Sequence, residues 1–284
     1  MCGLAPLRDA SCGPPIIGRM TPAASPHSAL SELVGLAARW IASWWRVVHL
    51  GALLLVLAMS PSSYGAADRR MLVRQLYLGT APALPWFTAL TTLISVVLVR
   101  IVVVTALSYG LSQYALEMVV RVLVLELIPL TAALFAALRC TIPNAAEIAL
   151  LKLQGWWALE TRESIDPLRR EVLPRVVAGV FCALMLAAVS CVVALFVAYV
   201  SVYGLTLSGF GAYTHTVGHV FDPAVSLIFG LKIFFFGLTV ALMPIASVLD
   251  DAPRARTSAE LQGLVRMFLV ILLIEAASLV GNYY

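Results

Sequence analysis

The sequence predicts an all-α membrane protein with five transmembrane helices and one further helix along the membrane surface. Its 284 residues are 61% hydrophobic and only 12% charged, whereas soluble domains are about half apolar and a quarter charged. Several apolar stretches reach the roughly 20 residues that span a bilayer as a helix. The Lys and Arg residues are concentrated between these stretches, as is typical of cytoplasmic loops.

The chain before the first long apolar stretch divides into two parts. Residues 1–30 are rich in Pro, Ser and Gly and have no apolar core after a basic start, so we predict a disordered tail and not a signal peptide. Residues 31–60 combine an aromatic, basic half with an apolar half, Val47 to Met59, of about 13 residues, which is short for a span. We interpret 31–60 as an amphipathic elbow helix at the interface. A sixth span is the alternative.

Five later stretches have the length and low polarity of membrane-spanning helices. Together they predict one compact membrane domain over residues 71–284, with little room for a second soluble domain. The stretches are 79–108, 115–138, 173–203, 224–249 and 261–281.

The distribution of positive charge predicts the orientation of these spans. Arg and Lys precede the first span, fill the 139–175 connection and follow the fourth span, whereas 109–114 and 204–223 contain none. Five spans with a cytoplasmic N-terminus satisfy every connection. The C-terminus is then predicted to be periplasmic.

The connection 140–171 is predicted to contain a short helix on the cytoplasmic side. Pro143 is suited to its start and Glu147 to its first turn. Such a helix is a surface that a motor subunit can grip, and the alternative is an interfacial helix anchored by tryptophans. The apolar side of the helix is formed by Ile148, Leu151 and Trp156.

No motif in the chain indicates catalysis, a cofactor or nucleic-acid binding. The Gly-x-x-x-x-Gly-Lys-Ser/Thr pattern that cradles phosphates is absent, so any ATP hydrolysis is predicted to belong to a separate subunit. His215 and His219 have a helical ligand spacing near Asp222, but zinc sites need at least three protein ligands. The five Cys residues lack metal-type spacing, and we predict no metal.

Ionisable residues inside the apolar stretches are the strongest functional candidates, because charges in a bilayer are costly. An Arg deep in the membrane attracts a lipid phosphate, or it is neutralised by a neighbouring carboxylate such as Glu126. Glu117 and Arg121 are one turn apart near a span end, where pairing on one helix face, pairing across helices and snorkelling to the interface are the alternatives to a functional role. The residues assigned to a lipid path or an intramembrane charge network are Arg100, Glu126, Lys232 and Glu275.

The stretch Asp166-Pro167-Leu168-Arg169-Arg170 and several shorter blocks, in the same order along the chain, resemble the MlaE (YrbE-type) family of permeases of lipid ABC transporters. The closest is Asp166-Pro167-Leu168-Arg169-Arg170 followed by Pro174-Arg175, which is similar to the family's Asp-Pro-x-Arg and Pro-Arg before its third span. The other blocks are Leu72 to Tyr77, Glu126-Leu127-Ile128-Pro129, Ala137-Leu138-Arg139, Ala146-Glu147-Ile148, Lys232 with Phe236-Gly237, and Glu275 near the family's span-5 Asp.

The resemblance implies a permease subunit in a bacterial inner membrane. Such permeases form homodimers, bind cytoplasmic ATPases that use ATP and Mg²⁺, and exchange phospholipid with a periplasmic MCE-domain protein. The alternatives are a non-transporting membrane scaffold derived from such a permease and an intramembrane enzyme acting on lipids. The residues expected to couple the chain to an ATPase, or to support that region, are Arg139, Glu147, Lys152, Asp166, Arg169, Arg170 and Arg175.

Overall fold

The computed structural model describes residues 44–58, 66–110, 114–154, 168–249 and 256–283. These residues form helices and short turns, and none of them lies in a strand. The chain divides into two compact units, Met1–Trp45 and Arg46–Tyr284, and the second contains all the features described below. The predicted tail 1–30, half of the predicted elbow segment 31–60 and Asp166 lie outside the described residues.

The helices are numbered here in chain order. The α-helices are α1 (Trp44–Ala58), α2 (Ala66–Thr80), α3 (Ala83–Ser108), α4 (Ala115–Val119), α5 (Ile128–Ala136), α6 (Ile142–Leu153), α7 (Leu173–Tyr203), α8 (Phe210–Val220), α9 (Pro223–Leu249) and α10 (Arg256–Tyr283). Three π-helical segments join them: π1 (Val120–Leu127), π2 (Ala137–Thr141) and π3 (Leu168–Val172).

Five helical runs are long and apolar enough to cross a membrane, which confirms the number and the positions of the predicted spans. The helix α1 is apolar but shorter, and its placement along the membrane surface stays a prediction. The five runs are Arg70–Ser108, Ala115–Leu153, Arg170–Tyr203, Pro223–Leu249 and Leu261–Asn282.

The second run extends well beyond its predicted end. The helix α6 follows π2 without a break, so the predicted helix of the 140–171 connection is an extension of the span and not a separate loop helix. Pro143 lies at the start of α6 as predicted. Glu147 lies in the second turn and not in the first, because the helix already begins at Ile142.

The helix α7 occupies the centre of the bundle, where it contacts α2, α3, α5 and α9. The face of α3 toward the interior is a narrow stripe with a buried residue at every fourth position, from Ala83 to Val99. Most buried positions of α7 are small residues such as Ala183, Ala187 and Ala194. Small residues let helix backbones approach closely, which replaces the hydrophobic driving force that is absent in lipid.

Two apolar cores lie at opposite ends of α7. One surrounds Cys191 and Ala194 and includes residues of α4 and π1. The other surrounds Leu173 and Val176 and includes Leu54 of α1 and residues of α6 and α9. These two parts of α7 are about 18 residues apart, or about 27 Å along a helix. The second core therefore links α6 to the membrane helices at the predicted cytoplasmic end.

Candidate functional site

A buried lysine forms the centre of a charge cluster within the apolar bundle. The side chain of Lys232 on α9 is 1% exposed. Its Nζ donates hydrogen bonds to a carboxylate oxygen of Glu126 and, at 3.1 Å, to the carbonyl oxygen of Leu125. It also lies 3.0 Å from Oε2 of Glu275 on α10, as an ion pair without hydrogen-bond alignment. The cluster therefore joins π1, α9 and α10, which are distant in sequence.

The local sequence explains why a carbonyl group is available to Lys232. In an α-helix the carbonyl of Leu125 would accept a hydrogen bond from the backbone N–H of residue 129. Residue 129 is Pro129, which has no N–H. In π1 the hydrogen bonds are shifted by one residue, so the next backbone donor toward Leu125 is the N–H of residue 130, and the second lone pair of the carbonyl oxygen is free for Lys232. The Glu126-Leu127-Ile128-Pro129 block thus supplies the carboxylate, and Leu125 directly before it supplies the carbonyl oxygen.

The helix α10 contributes a polar stripe beside Glu275. Ser278 and Asn282 follow at i+3 and i+7, which is the same face of a helix. Asn282 Nδ2 donates a hydrogen bond of 3.5 Å to Glu126 Oε1. The hydroxyl of Ser278 and the Oδ1 atom of Asn282 are buried without a hydrogen-bond partner. Ser278 and Asn282 were missed by the sequence analysis, although their spacing from Glu275 is a readable signal.

The charges of this cluster do not cancel. One ammonium and two carboxylates, Glu126 and Glu275, give a formal charge of 1 − 2 = −1 when all are ionised. Both glutamate side chains are 14% exposed, so the network is nearly dehydrated. Buried ion pairs are costly to form, and removing one member leaves an uncompensated charge. The arrangement therefore resists partial disruption.

A second buried cation lies at the other end of α7. Arg175 is 7% exposed. Its Nη1 donates to Glu171 Oε2 at 2.5 Å and to the carbonyl oxygen of Glu171 at 3.2 Å. Its Nη2 lies 3.5 Å from Glu147 Oε2 on α6, and the Glu147 side chain is 63% exposed. Arg175 thus links α6 to the start of α7.

A sequence model of the permease family MlaE matches residues 72–280. The chain belongs to the MlaE permease family. A comparison with curated proteins gives no match. The matched range contains the charged residues of both clusters: Glu126, Lys232 and Glu275, and Glu147, Glu171 and Arg175. Membership makes the chain a multi-pass membrane permease of the ABC transporter class and not a catalytic enzyme.

The sequence-predicted intramembrane charges are brought together in this MlaE-family chain with one exception. Glu126, Lys232 and Glu275 form one cluster. Arg100 lies exposed on α3 and has no ion-pair partner within the described segments. The alternative that Glu126 neutralises Arg100 is wrong, because Glu126 pairs with Lys232. The predicted pairing of Glu117 with Arg121 is confirmed, with Arg121 Nε 3.0 Å from Glu117 Oε1.

The residues predicted to couple the permease to an ATPase are partly brought together. Lys152 Nζ lies 3.2 Å and 3.4 Å from the carbonyl oxygens of Val248 and Leu249 at the end of α9. A cation at these last carbonyls complements the negative end of the helix. Arg139 lies in π2, and Arg169 and Arg170 lie in π3. Glu171 was missed by the sequence analysis. Its i, i+4 spacing to Arg175 was a usable signal.

The two histidines considered as metal ligands lie on α8. His215 and His219 are one turn apart there. The described segments contain no group of three His, Cys, Asp or Glu side chains that could hold a metal ion.

Proposed function

We propose that this chain is the permease subunit of a homodimeric transporter that moves phospholipid between the inner membrane and a periplasmic MCE-type lipid-binding partner, driven by separate cytoplasmic ATPases. The observation that carries the proposal is the Lys232 cluster in a chain of the MlaE family. Ionisable side chains inside a membrane bundle mark transport pathways or the elements that move during transport.

The contacts of α6 suggest how force reaches this cluster. Ala145 and Ile148 of α6 pack in one apolar core with Leu242 and Ile245 of α9, and Lys152 holds the last carbonyls of α9. Leu242 is ten residues after Lys232, or about 15 Å along a helix. A displacement of α6 by an ATPase therefore acts directly on the helix that carries the buried lysine.

The cluster gives this movement two discrete states. If α9 shifts relative to α10, the 3.0 Å contact between Lys232 and Glu275 breaks. The contact with Glu126 involves π1 instead and does not depend on α10. Lys232 would then remain compensated by one carboxylate while the α9–α10 interface opens. A transporter that alternates between two arrangements needs such a bistable element.

Lipid transfer by a reconstituted complex tests this proposal. We expect the chain to co-purify with an ATPase and to transfer fluorescent phospholipid from vesicles to an MCE-domain protein in the presence of ATP and Mg²⁺. Lys232→Met should abolish transfer, whereas Arg121→Gln, which removes a half-exposed ion pair at a helix surface, should not. Normal transfer by Lys232→Met contradicts the mechanism. Absence of both an ATPase and transfer in the wild type supports the scaffold alternative.

Site-specific crosslinking tests the predicted orientation and the ATPase surface together. A photo-crosslinking residue at Glu147 on exposed α6 should capture an ATPase subunit. The control position is His219 on α8, which lies between the third and fourth spans and is predicted to be periplasmic. Capture of the ATPase from His219, or of only periplasmic proteins from Glu147, would reverse the orientation.

A further inference from the structure

An arginine-lined cavity lies between α2 and the junction of π2 with α6, apart from the Lys232 cluster and beside Glu147 of the Arg175 cluster. It has a volume of about 620 Å³. Its lining includes Arg70 and Arg74 of α2, Arg139 of π2 and Glu147 of α6. The positive-inside prediction puts this end of the bundle in the cytoplasm. Neither the cavity nor a ligand for it follows from the function proposed above.

The arginines of the cavity have no ion-pair partner among the described residues. Arg70, Arg74 and Arg139 are exposed, and none forms an ion pair or a hydrogen bond in the part of the chain that the structure describes. Glu147 is the one acidic residue of the lining, and it contacts Arg175. Three guanidinium groups and one carboxylate leave a formal charge of 3 − 1 = +2. Among the described residues, the lining of the cavity therefore has an excess of positive charge.

The need to orient the protein in the membrane does not explain why these arginines line one cavity. A positive-inside signal requires only basic residues near the end of a span. Here, two residues 65 positions apart in sequence, Arg74 and Arg139, line the same cavity. The side chains of Gln75 and Asn144 add amide donors, and the Oε1 atom of Gln75 is buried without a hydrogen-bond partner. Arginine forks and amide N–H groups are the donors that bind phosphate oxygens.

The cavity wall also includes apolar side chains that favour a lipid over a soluble anion. Met71 and Leu78 line it, and both are exposed on the outer side of α2. If the arginines held the phosphate of a phospholipid, the acyl chains of that lipid would lie beside Met71 and Leu78. Basic pockets between transmembrane helices on the cytoplasmic side bind anionic lipid headgroups.

We propose that Arg70, Arg74 and Arg139 form a binding site for the phosphate group of an anionic phospholipid from the cytoplasmic leaflet. The lipid would bridge α2 to the start of α6, and it would thereby fix the position of the surface that faces the cytoplasm. This site is separate from the Lys232 cluster, and the proposal holds whether or not the chain transports lipid.

Native mass spectrometry of the full chain tests the site. The protein is equilibrated with detergent micelles containing phosphatidylglycerol and phosphatidylcholine in equal amounts, and bound lipids are counted. We expect wild type to retain phosphatidylglycerol preferentially. Each charge-assisted hydrogen bond contributes about 1.5–3 kcal/mol, so Arg74→Gln/Arg139→Gln should weaken this retention by at least about tenfold. Arg74→Lys/Arg139→Lys should give an intermediate loss, because lysine keeps the charge but lacks the planar fork.

The control variant is Arg121→Gln, which removes an arginine that is not in the cavity. It should retain phosphatidylglycerol as wild type does. An equal loss in the control would show a general surface attraction and would overturn the proposal. Unchanged retention by a double variant that elutes as a single folded species would overturn it too. Loss of a co-purifying ATPase without loss of lipid would assign the cavity to protein docking instead.

A competition experiment distinguishes binding of a phospholipid from binding of free phosphate. Inorganic phosphate, added at millimolar concentration, should not displace phosphatidylglycerol from wild type, because the apolar wall contributes to binding. Full displacement would assign the cavity to a soluble phosphate anion and would overturn the lipid part of the proposal.

Discussion

Two buried cations in this chain are each held between two glutamates, but the two networks are built differently. Lys232 has one partner on π1 and one on α10, and both partners are 14% exposed. Arg175 has one partner, Glu171, four residues away on its own helical run, and a second, Glu147, that is 63% exposed. The lysine network is closed to water and connects helices that are distant in sequence. The arginine network is local and open on one side.

The difference indicates distinct roles for the two networks. An exposed ion pair contributes little to stability, about 0–1 kcal/mol, so the Glu147–Arg175 contact is easily exchanged. A dehydrated network cannot lose one member without leaving an uncompensated charge. We therefore expect the Lys232 network to determine which bundle arrangements are allowed. We expect the Arg175 network to transmit the position of α6.

Removal of the buried lysine should give the largest effect on stability. Lys232→Met leaves Glu126 and Glu275 facing each other without a cation. Breaking a buried ion pair in this way costs about 3–5 kcal/mol. We expect a strongly lowered midpoint of thermal unfolding in detergent, measured by fluorescence-detected size-exclusion chromatography. Wild-type stability would show that water or lipid compensates the two glutamates.

Neutralising the whole network should restore most of that stability. In Glu126→Gln/Lys232→Met/Glu275→Gln no side chain of the network carries a charge, and replacing a complete buried ion network by neutral residues is often harmless. We expect the triple variant to unfold close to wild type in the same assay and yet to transfer no lipid. A triple variant that is active would show that the charges serve folding only. One that is as unstable as Lys232→Met would show that the network stabilises the fold by itself.

The sequence predicted the features of these networks that depend on local pattern. Five spans followed from length and apolarity, and the Glu117–Arg121 pair followed from i, i+4 spacing. Glu126, Lys232 and Glu275 were each predicted as functional, but their association was not, because it depends on the order and rotation of helices in the bundle. The alternative partner Arg100 faces outward on α3 for the same reason.

The continuous second helical run was also beyond sequence reasoning. The Arg-rich composition of 139–175 is typical of a loop, yet α6 continues through π2. The extra residue in each π-helical turn rotates the following side chains, and no apolar periodicity identifies it in advance. Asp166, which the resemblance places among the coupling residues, lies outside the described residues, so its role stays a prediction.

Two glycines near the networks distinguish tight helix packing from loose packing. A Cβ at Gly179, one turn after Arg175, would lie 2.8 Å from Thr141 Cγ2 and 3.1 Å from Ala241 Cβ. Overpacking of this kind costs about 1–3 kcal/mol. A Cβ at Gly237, just after Lys232, meets its nearest neighbour at 3.4 Å, the carbonyl oxygen of Val180. We expect Gly179→Ala to lower the unfolding midpoint and Gly237→Ala to leave it unchanged or slightly raised. The reverse order would show that the bundle is packed differently around α7.

Loss of the local partner of Arg175 should have a smaller effect. Glu171→Gln removes the 2.5 Å contact with a nearly buried guanidinium, whose Nη1 still reaches the carbonyl oxygen of residue 171. A charge-assisted hydrogen bond contributes about 1.5–3 kcal/mol, and the retained contacts offset part of this loss. We expect a modest decrease of the unfolding midpoint. A decrease as large as that of Lys232→Met would show that the two networks are equally closed to water.

Replacement of the exposed partner should have the smallest effect on stability and a clear effect on coupling. Glu147→Gln removes a 3.5 Å contact from a side chain that is 63% exposed, so the unfolding midpoint should shift by less than the equivalent of about 1 kcal/mol. Arg175 nevertheless loses its connection to α6, and α6 is the helix that contacts α9. We therefore expect the complex to hydrolyse ATP at the wild-type rate while it transfers less lipid for each ATP consumed.

A matched control is Lys152→Gln, which weakens the α6–α9 contact directly and should lower the same ratio of lipid transferred to ATP consumed. If Glu147→Gln lowers ATP hydrolysis and transfer in proportion, the Glu147 carboxylate acts through its contact with the ATPase and not through Arg175.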